Sequence, residues 1–382
     1  MNKNLNHFVS ISLLSLLFAC TPNGNKTCTT ATSDIATKTI YAEKFTIEQH
    51  EKYAMLHVVN PWQGASNIQY NYALVSNSDT SGLNLKADAV IQVPIKRAIC
   101  LSTTHVGFID ALGEIPSIVG ISGANLINND SIQSAIAQKK VQDIGYESSL
   151  NYELILSLKP DVIFAYGVGH DLGYIAKLRE LGLKVVLVAE YLEPTPLAKA
   201  EWIKFVAQFY KKETKADSIF KVVDDNYQNS CNLVLHEKNK PKVLSGLPWK
   251  EMWYVAGGKS AAARLITDAG GDYIFTDINS TEGVPLNIEN VYQRAVQADV
   301  WVNCGAAFSL NDISSVDKRL STLPVYQHQN VYNSNARAKL MGGNDYFESG
   351  VVRPDIILND LIAIFHPSLL PNHQGYYYRK LN

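Results

Sequence analysis

Two glutamates head matching segments of the chain. Residues 151–164 read NYELILSLKPDVIF and residues 287–302 read NIENVYQRAVQADVWV. Each opens Asn-x-Glu, continues as an apolar-periodic helix and closes in Asp-Val with a further apolar run. Asn151 and Asn287 suit helix N-caps. Glu153 and Glu289 then fall in first turns, where a carboxylate meets the helix dipole favourably by about 0.3–1 kcal/mol. That accounts for either glutamate alone but not for their matched placement. Two exposed carboxylates on one rim would orient the protein on a positively charged receptor and speed encounter.

Other spacings point to less. GGKSAAAR has a phosphate-loop look, but the glycine needed five residues before Gly258 is Trp253. No GxSxG, HExxH or acid pair at glycosidase spacing supplies a catalytic set, so a binding protein is favoured over an enzyme. His105 and His170 raise a zinc or manganese site. A closed site needs about four ligands, and the second half offers no well-placed histidine among His328, His366 and His373. Of five cysteines, Cys100, Cys231 and Cys304 fall in strand or helix segments without metal or redox spacing, and read as buried thiols, although an exported location would permit a disulfide.

The elements that must position these residues follow from periodicity. The chain has 382 residues, 46% hydrophobic and 18% charged, with net charge −2. This is globular composition for two or three domains, with no basic footprint for nucleic acid. At the N-terminus, Lys3 precedes a short apolar run, FVSISLLSLLF, and then Ala19-Cys20. The ending resembles a bacterial lipoprotein signal, in which Cys20 is lipidated; a signal peptide with an incidental Cys20 is the other reading. Residues 1–19 are therefore assigned to the signal and 20–40 to a polar tether that holds Cys28.

Residues 41–87 read as a β-rich extension. Strand and helix signals then alternate over 88–195, which argues for an α/β lobe of parallel βα units. Residues 196–237 read as linking helices. EPTPLAKAEWIKFVAQFYKK forms one, and a second, capped by Thr214, runs to about His236 as a rod of roughly 30 Å between lobes. Alternation resumes over 238–382 as a second α/β lobe.

This arrangement resembles the class III (cluster A) substrate-binding proteins of ABC importers for iron-siderophores, haem and cobalamin. The resemblance covers roughly residues 88–370. It rests on KRAICLSTTHVGFIDALG, NYELILSLKPDVIF, the linking helix, AGGDYIF and NIENVYQRAVQADVWV. It implies two lobes with a metal chelate held between them, and no covalent cofactor beyond the lipid. It also implies delivery to a membrane permease and its ATPase, with Glu153 and Glu289 as docking feet, on an exported protein facing the periplasm. Between such lobes, loops at strand C-termini would hold Ser102, Thr103, His105, Tyr166, His170, Tyr191, Trp249, Trp253, Arg337, Asn344 and Tyr346. The aromatic residues suit a flat macrocycle or catecholate, and Arg337 an anionic chelate. One histidine could serve haem as an axial ligand. His105 also reads as a helix cap and Trp253 as core.

Overall fold

In the computed structural model the described residues are 35–37, 39–76, 85–146, 149–167, 169, 172–340 and 342–382. The signal segment, Cys20, Cys28 and His170 lie outside them. Five strands come first: β1 (Ile35–Thr37), β2 (Phe45–Gln49), β3 (Tyr53–Val59), β4 (Gln69–Val75) and β5 (Ala89–Gln92). They form one sheet in that order, antiparallel except for the parallel β4–β5 pair. Phe45 and Ile47 face inward while Thr46 faces solvent, the period of two that a half-buried strand requires. The sheet reaches past both ends of the expected 41–87 span, because β1 pairs with β2 and β5 with β4.

The first lobe holds β6 (Ala98–Cys100), β7 (Ile118–Ile121), β8 (Gln142–Asp143), β9 (Val162–Ala165) and β10 (Val185–Leu187). Their order is β10-β9-β6-β7-β8, all parallel. The segments AIC, IVGI, VIFA and VVL are buried throughout, as a sheet covered on both faces demands. Around them lie α1 (Thr103–Ala111), α2 (Asp130–Ala137), α3 (Tyr152–Leu158) and α4 (Gly173–Glu180).

Two helices lead to the second lobe, α5 (Pro196–Gln208) and α6 (Glu213–Val234). Thr195 caps α5 by accepting the Ala198 N–H at 3.1 Å, with Pro196 in the first turn. This helix ends before the expected Lys212. Lys211 takes a left-handed φ of 54°, and the Lys212 N–H returns to Ala207 O at 3.1 Å. The reversal is so tight that α6 starts at Glu213. Thr214 therefore lies inside the first turn and is not the N-cap. At 22 residues α6 is about 33 Å long. Ala216 and Phe220 enter the first core, and Val223, Tyr227 and Val234 the second, so one rigid element joins both.

The extension is fastened to this linker. Phe45 packs edge-on against Trp202 and Phe205 of α5. Glu201, fully buried, accepts the N–H groups of Ile40, Tyr41 and Ala42 at 2.9, 2.8 and 2.9 Å and faces Lys204 Nζ at 3.0 Å. Glu193 accepts those of Glu43 and Lys44 at 2.9 and 3.0 Å, together with Trp202 Nε1 at 2.9 Å. Two carboxylates thus collect five successive backbone donors, that of Ala42 fully buried and the rest partly so.

The second lobe comprises β11 (Lys242–Ser245), β12 (Met252–Ala256), β13 (Asp272–Tyr273), β14 (Gly283–Asn287), β15 (Val300–Val302), β16 (Tyr332–Asn333) and β17 (Arg379–Lys380). Its helices are α7 (Ala261–Asp268), α8 (Ile288–Ala295), α9 (Leu310–Val316), α10 (Pro324–Gln327) and α11 (Pro354–Phe365). Only β13-β11-β15 form the expected parallel sheet. MWYVAGG instead pairs antiparallel with residues 283–287, whose Gly-Val-Pro-Leu sequence carries little strand signal. Buried Asp360 on α11 accepts the N–H groups of Tyr376, Tyr377 and Tyr378 at 3.0, 2.6 and 2.9 Å. That clamp returns the C-terminal tail to the lobe, where β17 pairs with β16.

Candidate functional site

The chain leaves β6 through Leu101 and enters α1 at Ser102, whose Oγ accepts the Thr104 N–H at 3.3 Å. A helix start at the carboxyl end of a parallel strand is where α/β folds present groups to ligands. The segment 337–351 of the second lobe faces this start. Thr103 Oγ1 donates to Phe347 O at 2.8 Å, and Lys339 Nζ donates to Asn128 O at 2.8 Å and meets Asp130 at 3.1 Å. Glu348 accepts the N–H groups of Asn128 and Asn129 at 2.8 and 3.0 Å. The backbones approach closely enough to require glycine. A Cβ on Gly107 would lie 2.1 Å from Glu348 O, and one on Gly343 would lie 2.3 Å from the Ile127 carbonyl carbon.

Beside this seam lies a cleft of about 790 Å³. Thr103, Asn125 and Leu126 form its first-lobe wall; Ala306, Phe308, Asn335, Leu340, Asn344 and Phe347 are among those opposite. A smaller chamber of about 240 Å³ adjoins it across Phe347, between Thr104, Lys199 of α5, Leu265 of α7, and Tyr346. Phe347 borders both spaces. The volumes fall near the range of small-molecule sites, and the walls are mainly apolar with a few convergent polar groups.

The expected site residues separate into groups. Thr103 and Asn344 line the cleft and Tyr346 lines the chamber. Ser102 acts as the α1 cap. Tyr166 and Tyr191 are half-buried, and the Tyr191 hydroxyl donates to Gly167 O. Trp249 is 64% exposed, with Lys250 Nζ 4.4 Å above its ring. Two expectations need correction. His105 is 1% exposed inside α1, against Phe164 and away from the helix cap, and burial lowers its pKa to about 3. The metal-ion reading thereby loses one of its two imidazoles. Trp253 is 0% exposed, stacked near Trp301 and donating Nε1–H to Ser245 O at 3.2 Å, so it is core. Arg337, with its side chain 45% exposed, lines neither space; its Nε pairs with Asp345 at 2.6 Å, and the guanidinium covers Tyr376 at 4.5 Å.

The glycines of GGKSAAAR serve packing. A Cβ on Gly257 or Gly258 would meet the Ser280 or Thr276 carbonyl oxygen at 2.2 or 2.3 Å, and Ser260 caps α7. Sequence reading missed Phe347, Lys199 and Glu190. Only the Gly342-Gly343 pair signalled a close backbone approach nearby.

Residues 99–338, well over half the chain, match the family described as periplasmic binding protein. The chain belongs to that family. An uncharacterized lipoprotein of Methanocaldococcus jannaschii is 31% identical over 303 residues, covering 77% of this chain and 70% of its own length. Among solved structures, the apo periplasmic heme-binding protein RhuT from Roseiflexus sp. RS-1 superposes with TM-score 0.55 at 23% identity, over 72% of this chain and 99% of RhuT. An ABC-type Fe3+-hydroxamate transport system protein from Saccharomonospora viridis gives TM-score 0.54 at 17% identity, over 72% and 94%. At these identities the structural likeness bears on fold alone.

In this periplasmic binding protein the two signature glutamates occupy the same local position. Asn151 caps α3 by accepting the Leu154 N–H at 3.0 Å, and Asn287 caps α8 by accepting the Asn290 N–H at 2.9 Å. Glu153 and Glu289 are each the second residue of their helix, and both are exposed. Their surroundings differ. Arg319 Nη1 meets Glu289 at 2.9 Å and holds its carboxyl below the usual range, whereas Glu153 has no side-chain partner among the described residues.

The seam carries its own pH dependence. Burial raises the Glu348 pKa from 4.5 to about 7; Asp345 and Asp110 add to the rise, while the Asn128 and Asn129 N–H groups oppose it. A carboxyl with a raised folded-state pKa stabilises fully below its unfolded value, and that contribution is lost as pH rises through the folded value. Stability should therefore fall between about pH 4.5 and 7 by a component that Glu348→Gln removes. Urea midpoints measured at intervals from pH 5 to 8 test this. Parallel wild-type and mutant curves would refute it.

Proposed function

We propose that this protein captures an iron chelate, such as a siderophore complex or haem, or a corrinoid between its lobes. It then delivers the cargo to the permease of an ABC importer, whose ATPase powers uptake. The observation that carries this reading is the cleft of about 790 Å³, walled on one side by the α1 start and on the other by residues 305–347. Family membership supports a receptor over an enzyme. The heme and Fe3+-hydroxamate descriptions of the structural neighbours suggest which cargo to try first.

The protein is exported and associated with the cell envelope, and we assign Cys20 as its lipidated residue. Relatives named as lipoproteins favour that anchor. No helix among the described residues is long and apolar enough to cross a membrane. Glu153 and Glu289 are the permease-docking feet in this reading.

Titrating purified protein with haemin, cobalamin and a ferric hydroxamate, followed by absorbance and thermal shift, tests the cargo class. At least one should bind one-to-one and raise the melting temperature. A receptor bound at about 100 times its Kd gains about 2.7 kcal/mol. Failure of all three, with zinc or manganese binding instead, would favour the metal-ion alternative.

A further inference from the structure

The chamber that adjoins the cleft across Phe347 contains an unusual polar arrangement. Lys199 lines it from α5, and its ammonium makes no hydrogen bond or ion pair among the described residues. Burial disfavours its charge, and neighbouring Glu190 offsets part of that effect. Glu190 is 3% exposed; one carboxyl oxygen accepts from Thr104 Oγ1 at 2.6 Å, and the other has no partner. Ser102 Oγ lies 2.9 Å from Thr104 Oγ1. Because the Thr104 proton is directed at Glu190, Ser102 must donate to Thr104. That leaves Thr104 Oγ1, on the chamber wall, with one lone pair and no proton to offer.

We propose that the chamber receives an uncharged carboxamide carried on the rim of the cargo. This inference rests on the cleft being the cargo site and adds a chemical class to it. Lys199 supplies a donor for the amide oxygen, and Thr104 Oγ1 supplies an acceptor for the amide N–H. The rest of the chamber is formed by groups such as Pro196, Ala262, Leu265 and Ile357, which favour a group that brings no net charge. A carboxylate in the same place would add a second acid near Glu190, whose own charge burial already disfavours, with Lys199 the one basic residue on the chamber wall. It would also direct lone pairs at the lone pair of Thr104. Unbalanced charge in a poorly hydrated space is costly, whereas a neutral group with one acceptor and one donor satisfies both wall groups.

The test uses two matched pairs of chelates. One is haemin and its bis-propionamide; the other is cobalamin and a cobalamin in which one rim amide is hydrolysed to the acid. For whichever scaffold binds, the amide member should bind at least about tenfold tighter, since a site built to hydrogen-bond a group strongly rejects a mismatched analogue. Lys199→Met and Thr104→Val should each weaken the amide member by about tenfold and shrink the preference, with melting temperatures near wild type. Lys199→Gln covers the case in which the methionine variant misfolds. Equal or tighter binding of the acid member overturns the inference, as does unchanged affinity in the folded lysine variant. If neither scaffold binds wild type, the carboxamide inference fails; binding of a ferric hydroxamate in the same titration would then leave the capture reading standing without it, and failure of all three would overturn both.

Discussion

Glu201→Ala should destabilise the folded protein by about 3–5 kcal/mol, the usual cost of removing one partner from a buried charged pair. Glu201 accepts three successive backbone N–H groups from residues 40–42 and faces Lys204 at 3.0 Å. Alanine leaves all four donors without that acceptor; the buried Ala42 N–H costs about 1–3 kcal/mol unpaired, while the exposed Ile40 N–H can turn to water and Lys204 keeps Asp217 at 3.8 Å. Glu201→Gln retains an acceptor oxygen but loses the charge, so it should fall between alanine and wild type. The measurement is a urea unfolding curve. A loss under about 1 kcal/mol would mean the segment finds other acceptors or water. The expected loss would make the N-terminal sheet an integral part of the linker, because the same helix holds Phe45 through Trp202 and Phe205.

The second large effect concerns delivery. Replacing Glu153 and Glu289 together by alanine should leave chelate affinity unchanged and reduce uptake through the permease by about tenfold or more. Replacement by arginine should reduce it further, because like charges then face each other. Both residues stand at exposed helix starts, and neither lines the cleft or the chamber. Charge swaps on the permease that restore uptake would establish direct pairing. Glu289 starts from a local partner, so an incoming arginine must share or displace Arg319. Arg319→Ala therefore should not impair delivery. If the double alanine variant transports at the wild-type rate, the glutamates are only first-turn acids, each worth under about 1 kcal/mol.

The repeated Asn-x-Glu segments were legible because capping is local: an asparagine, a first-turn acid and helical periodicity are all contiguous. The parallel strands were legible for a similar reason, since buried runs such as VIFA and VVL carry their signal within four residues. The end of α5 was not legible, because it depends on Lys211 taking a left-handed φ that lysine rarely prefers. The site was legible only in part. Thr103 and Asn344 flank helical starts beside the cleft, but burial of His105 and Trp253 is decided by neighbours distant in sequence. Arg337 illustrates the same limit: its partner Asp345 comes eight residues later, with nothing in the spacing to mark a pair. Lys199 and Glu190 fall in apolar or turn segments, and only folding places them near Thr104.

The most direct test of capture between the lobes is to block the cleft without disturbing the seam or core. Ala306 is exposed and lines the larger space, so tryptophan there adds bulk where cargo would lie. Equilibrium titration of wild type and Ala306→Trp with the chelate that binds wild type gives the answer, with unfolding curves as the control. We expect at least about a hundredfold loss of affinity at unchanged stability, equivalent to about 2.8 kcal/mol of binding. Equal affinity in the two proteins would place the cargo elsewhere and contradict capture between the lobes.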